Sequence, residues 1–153
     1  MASAPLPAET ETEFAWDLAR LFPPQGKWTE YDYLEITKDT NWRVELTNGR
    51  LEVLEMPKWS HQEMIFFLCT TLRAFVEPRG LGRAIIAALR VKITDDTFRE
   101  PDVVFMLTEN ISRAGEDYWD GADLVMEVVS KDPESRRRDL VLKRRDYALA
   151  QIP

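Results

Sequence analysis

Arg99-Glu100-Pro101-Asp102-Val103-Val104-Phe105-Met106-Leu107 and Asp123-Leu124-Val125-Met126-Glu127-Val128-Val129-Ser130 form the stretch on which the fold turns. Each is an apolar run of strand length that carries an acid. The run after Pro101-Asp102 shows no alternation, which predicts a strand buried on both faces, with Asp102 at its mouth. Leu124 to Val129 predicts a second buried strand with Glu127 inside it. An ionised carboxylate in that setting costs on the order of several kcal/mol unless a cation or a donor compensates it. A wet strand face at a sheet edge is the alternative. Asp132-Pro133 then supplies a helix cap followed by proline at the first helical position. The helix predicted beyond it places Asp139, Lys143 and Tyr147 four residues apart on one face. Lys143 borders the apolar stripe marked by Leu140, so its ammonium can reach inward. Two acids and an inward lysine suit a divalent-metal site for phosphodiester hydrolysis, and Arg136, Arg137, Arg138, Arg144 and Arg145 splay over the surface beside it.

The first half reads as scaffold. Residues 1–27 form an N-terminal extension, rich in Pro, Ala and Glu at first, with Phe14, Trp16, Leu18, Leu21 and Phe22 spaced for one short helix ending at Pro23-Pro24. Thr29 can cap a helix bearing Tyr33, Leu34 and Ile36. Asn48-Gly49 between two alternating runs predicts a hairpin over residues 42–54, because a type I′ turn needs positive φ at both central positions. Val44 and Leu46 share one face of it, which by pattern alone leaves Glu45 on the solvent side. Ser60 and Glu63 have the spacing of a capping box, and Ile65, Leu68, Cys69, Leu72, Phe75 and Val76 follow at helical spacing up to Pro78 and Gly80. His61, the single histidine, sits in the first turn and taken alone is structural or inert. Residues 83–89 and 90–94 read as strands, Asp95-Asp96 as a turn, and residues 110–121 as a loop with one helical turn.

Composition narrows the function classes. The 153 residues suffice for one domain with its own core, placed here at residues 28–153. The lone Cys69 excludes a disulfide within the chain, reads as a packed core thiol and points to a reducing compartment. There is no apolar run of about 18 residues and no basic-then-apolar start, so the expectation is a cytoplasmic protein without a membrane span. A net charge of −7 argues against non-specific coating of nucleic acid. The charge is uneven: residues 131–145 hold seven Lys or Arg and three acids, while residues 100–127 hold eight acids and one Arg. That is the pattern of an acidic pocket beside a basic helix, though a solvated helix face next to acidic loops gives the same count. Carboxylates, one lysine and one histidine, with no Cys/His spacing and no Gly-rich phosphate loop, select magnesium, with manganese as substitute, over zinc.

With these pieces in hand, the chain resembles the restriction-endonuclease-like Uma-two family, a branch of the PD-(D/E)XK nuclease superfamily. The similarity rests on Thr29-Glu-Tyr-Asp-Tyr-Leu34, Val44-Glu45-Leu46-Thr-Asn-Gly49, Ser60-His61-Gln62, Pro101-Asp102-Val-Val-Phe105, Asp123 to Ser130, and Arg138-Asp139 through Lys143 to Tyr147. It implies an α/β (α+β) fold, a restriction-endonuclease-like core with a central mixed sheet flanked by helices. It implies that Asp102 and Glu127 bind the metal with help from the Val128 carbonyl, and that Glu45 is an additional acid of the site. Val129 stands at the lysine position of the superfamily signature, and Lys143 on the following helix takes its place. His61 matches a position often histidine in the family, and Tyr147 lies beside Lys143 as a further lining candidate. DNA is the implied substrate, held by the arginines of the basic helix. Relatives continue past Pro153 into further strands, so the chain reads as C-terminally truncated, with an exposed strand edge that invites a homodimer. A nuclease-fold binding module without turnover and a hydrolase of another phosphate ester are the competing readings.

Overall fold

The computed structural model describes residues 19–130 and 132–153. Of the helix expected over Phe14, Trp16, Leu18, Leu21 and Phe22, the part up to Leu18 lies outside the described residues, and Leu21 and Phe22 stand in a turn rather than a helix. From Glu30 to Thr37 the chain forms α1, with Thr29 at the N-cap: its side chain accepts from Asp32 N while Asp32 reaches back to the Thr29 backbone. Strands β1 (Val44–Thr47) and β2 (Arg50–Val53) pair antiparallel, Leu46 opposite Leu51 and Thr47 opposite Arg50. Asn48 (φ 49°) and Gly49 (φ 69°) supply the two left-handed residues the turn requires.

Helix α2 (Trp59–Val76) carries Ile65, Cys69 and Val76 on its buried side. Its start corrects the expected capping box. Lys58 occupies the N-cap with extended backbone and no side-chain cap bond, so Ser60 is already one residue inside the helix and its hydroxyl is not at the capping position. A short 3₁₀ turn over Glu77–Arg79 and left-handed Gly80 (φ 62°) end the helix where Pro78 and Gly80 predicted.

Strands β3 (Gly82–Ile86), β4 (Val91–Thr94), β5 (Thr97–Arg99), β6 (Val103–Leu107), β7 (Trp119–Asp120) and β8 (Leu124–Met126) complete two sheets. The five-stranded sheet has the order β2-β1-β5-β4-β7 and is mixed, because β4 pairs with β7 in parallel while its other pairs are antiparallel. The three-stranded sheet is antiparallel, β3-β6-β8. The segment read as a strand over residues 83–89 ends at Ile86, and β5, only three residues long, left no readable pattern.

The unbroken apolar run of β6 is explained by its two faces. Val103 and Phe105 pack with Ile65, Cys69, Val76 and Ala84 under α2, whereas Val104 and Met106 pack with Val91, Trp119, Tyr147 and Ile152 on the other side. A strand with core on both faces has no position to give to water. A third cluster, Trp28, Tyr33, Val44, Leu46 and Phe98, fixes α1 to the hairpin.

β8 corrects the reading of Glu127 as a residue inside a strand. Met126 pairs with Val103, the first residue of β6, so the ladder has no further partner to offer. The strand stops there, half-buried, and Glu127 stands just beyond its end. The C-terminal helix is capped as predicted: Ser135 N donates to Asp132 Oδ1 at 2.8 Å. It is α-helical over Pro133–Arg137 (α3), π-helical over Arg138–Lys143, and α-helical again over Arg144–Leu149 (α4). Among the described residues no helix is long and apolar enough to cross a membrane.

Candidate active site

The start of β6 and the end of β8 bring their acids to one cleft of about 610 Å³, lined also by His61, Val128, Asp139 and Lys143. Asp102 is 4% exposed and held from two sides. Its Oδ2 accepts the Val128 N–H at 2.8 Å, the backbone donor that the β8 ladder leaves unpaired. His61 Nε2 lies 3.2 Å from Oδ1, which makes the first turn of α2 part of the site. Glu127 Oε1 accepts from Lys143 Nζ at 3.0 Å and from Tyr147 Oη at 2.5 Å. Lys143 and Tyr147 thus share the inward face that their spacing predicted, although Tyr147 reaches Glu127 without lining the cleft itself.

The electrostatics of Glu127 are unbalanced. Burial pushes its carboxyl up to about 7; Lys143 works against that shift, while nearby Asp102 adds to it. For Lys143, burial opposes the charge, but Glu45 and Glu127 more than offset it and raise the ammonium above its ordinary value. The Tyr147 phenol is driven well up by burial and by Glu127.

Glu45 is fully buried, contrary to the solvent-facing position that strand alternation alone gave it. β1 lies between β2 and β5, and the C-terminal helix sets Lys143 against Glu45 of β1 and Asp146 against Arg99 of β5. Glu45 Oε1 is 2.9 Å from Lys143 Nζ and accepts the Glu100 N–H at 2.9 Å. Its Oε2 is 2.8 Å from Arg99 Nη1. Burial alone would raise its pKa; Lys143 and Arg99 overcome that and hold it down at about 2. Glu45 does not line the cleft, and two cations, Lys143 and Arg99, already satisfy it. Arg99 and Asp146, which complete this network, carried no mark in the sequence as site residues. The available signals were slight: Asp146 lies three residues beyond Lys143, and Arg99 three before Asp102.

Residues 28–153 match the Uma2 family, described as "Putative restriction endonuclease". The chain belongs to the Uma2 family. Among solved structures, this Uma2 chain is similar to the crystal structure of "a putative nuclease belonging to DUF820" from Anabaena variabilis ATCC 29413, with a TM-score of 0.59 and 18% identity over 74% of the chain. That likeness is one of fold, and the chain spans 66% of the length of that structure. The mixed α/β architecture expected from the sequence is thereby borne out. No curated protein matches the chain in sequence.

The five helix arginines separate by position in this Uma2 chain. Arg138 lines the cleft, with Nη1 3.2 Å from Glu52 Oε1 and Nε 3.5 Å from Asp139 Oδ1. Arg136, Arg137, Arg144 and Arg145 are exposed along the helix. Lys58 and Arg43, which no motif singled out, line the cleft beside Arg138. Among the described residues, no group of three or more His, Cys, Asp or Glu side chains is arranged to hold a metal ion. Asp102, Glu127 and the Val128 carbonyl nonetheless offer hard oxygen donors of the class magnesium takes while keeping several of its waters. Glu127 has the Lys143 ammonium against it at 3.0 Å, and burial still pushes its carboxyl up to about 7. The residues therefore fit a two-carboxylate divalent site completed by water.

Proposed function

We propose that the cleft binds magnesium, or manganese in its place, between Asp102 and Glu127 and hydrolyses phosphodiester bonds of DNA. The supporting observation is the pair itself: two carboxylates from the ends of adjacent strands face one cleft, and burial holds Glu127 at about 7 despite its lysine partner. Membership of a family described as restriction endonucleases favours nucleic acid over other phosphate esters.

Asp102, Glu127 and the Val128 carbonyl are the residues that would hold the ion. When bound, it supplies a water of lowered pKa and counter-charge for the scissile phosphate. Lys143 places its ammonium where negative charge develops on the phosphate oxygens, fixed there by Glu45. His61 and the Val128 N–H orient Asp102, and Tyr147 orients Glu127. Arg138 and Lys58 grip the backbone at the cleft, with the exposed helix arginines as further contacts.

A second reading, a DNA-binding module without turnover, is favoured by one observation. Lys143 already sets its charge against two carboxylates, which leaves one of its three N–H donors for a substrate. Incubating supercoiled plasmid with the protein and magnesium or manganese separates the two. Nicking that disappears in Asp102→Ala and Glu127→Ala and falls sharply in Lys143→Ala supports hydrolysis at this site. Nicking that persists in all three refutes the site, and plasmid binding without nicking under either metal favours the module.

A further inference from the structure

We propose that the Lys143 ammonium is the resident counter-ion of Glu127, and that cation loading is coupled to handing this ammonium over to Glu45. The inference rests on the reading of Asp102 and Glu127 as the metal-binding pair, and it adds a regulation of that same site. Lys143 is 3% exposed, and its Nζ is shared between Glu45 Oε1 at 2.9 Å and Glu127 Oε1 at 3.0 Å. Both contacts are charge-assisted, and a divalent ion seeks the same carboxylate on Glu127. The ammonium and the ion repel one another, and because Lys143 is buried that repulsion is screened less than it would be between exposed charges.

Glu45 is built to receive the ammonium. Its hold on the fold does not depend on Lys143, because Arg99 Nη1 takes Oε2 and Glu100 N takes Oε1. Arg99 is in turn clamped by Asp146, one turn beyond Lys143 on the same helix. When Glu127 turns to the ion, the lysine therefore keeps one full partner and stays within the site. Lys143 and Tyr147 both hold Oε1 of Glu127, so the ion's approach to this carboxylate bears on the lysine contact while Tyr147 still anchors the side chain.

This view assigns Lys143 a sign opposite to that of a merely supporting residue. A lysine that braces the site would weaken metal binding when removed; a competing counter-ion would strengthen it. The test is manganese affinity, measured by electron paramagnetic resonance titration of free Mn²⁺ with the full chain and its Lys143→Met variant. The expected result is binding at least about tenfold tighter in Lys143→Met than in the parent. Unchanged or weaker binding by the variant, with the parent binding normally, overturns the handover and leaves the proposed hydrolysis standing. No binding by either protein overturns both. Should Lys143→Met fold poorly, the parent alone decides the question. Its Lys143 ¹⁵Nζ resonance should move in step with magnesium saturation, and a resonance that stays put through saturation overturns the proposal.

Discussion

Arg99 grips Asp146 Oδ2 with two nitrogens, Nε at 3.1 Å and Nη2 at 2.5 Å, and so ties β5 to the C-terminal helix. Its third nitrogen, Nη1, holds Glu45. One planar guanidinium satisfies two acids from two elements, a geometry that an ammonium cannot reproduce. Arg99 is 1% exposed, and burial opposes its charge, but Glu45 and Asp146 more than offset that.

Replacing Arg99 by methionine leaves two buried carboxylates short of a partner. We expect a loss of about 3–5 kcal/mol in urea denaturation, and only partial recovery in Arg99→Lys. A loss below about 1 kcal/mol in Arg99→Met would show that the clamp does not hold the helix.

Acid should expose the same network through Glu45. Its ordinary value is 4.5 and the fold lowers it to about 2. A depressed carboxyl stabilises the fold fully above the unfolded value and loses that contribution as pH falls through the folded one. The parent should therefore lose stability between pH 4.5 and 2. Glu45→Gln should be less stable near neutrality, with a shallower loss across that window. Urea midpoints taken through the acid range decide it; parallel curves for the two proteins would contradict the assignment.

The β3–β6 pairing permits no side chain at Gly82. A Cβ there would overlap the Met106 carbonyl oxygen and press on Phe105. Both belong to β6, the strand whose first residue follows Asp102, so the overlap cannot be relieved by moving a flexible side-chain end. Gly82→Ala should cost more than the roughly 1 kcal/mol of an ordinary point change, with the loss visible in thermal melting and in plasmid nicking alike. A melting temperature equal to the parent's would mean that β3 slides freely on β6.

What the sequence disclosed follows from how local each signal is. The Asn48-Gly49 turn, the Thr29 cap and the Asp132 cap are set by neighbouring residues, and each is found where the pattern placed it. The unbroken Val103–Leu107 run identified the central strand because two-sided burial removes alternation. Ser60 misled because the helix begins at Trp59 with Lys58 at the cap, a shift of two residues that local chemistry does not resolve. Glu127 drew notice for its apolar neighbours, although its strand ends one residue earlier. Glu45 is the instructive case: alternation put it in water, and only the docking of a helix about a hundred residues further on buries it. Arg99 and Asp146 were illegible for the same reason, since their meaning lies in a contact across 47 positions.

His61 offers the last test, because its partner is now known. Its Nε2 lies 3.2 Å from Asp102 Oδ1, and its side chain is 19% exposed at the cleft. Removing it leaves Asp102 held by the Val128 N–H alone, free to turn about that single contact. Groups that orient a metal-binding carboxylate are worth about 10–100-fold in affinity or activity when lost. We therefore expect His61→Ala to weaken manganese binding and slow nicking within that range, while its urea midpoint stays close to the parent's, because the side chain is partly open to water and packs in none of the three core clusters. His61→Gln keeps a donor near Oδ1 and should recover part of the affinity. Equal metal binding in His61→Ala and the parent would remove the histidine from the site. A matching loss of stability and affinity in both variants would assign it a role in the fold instead.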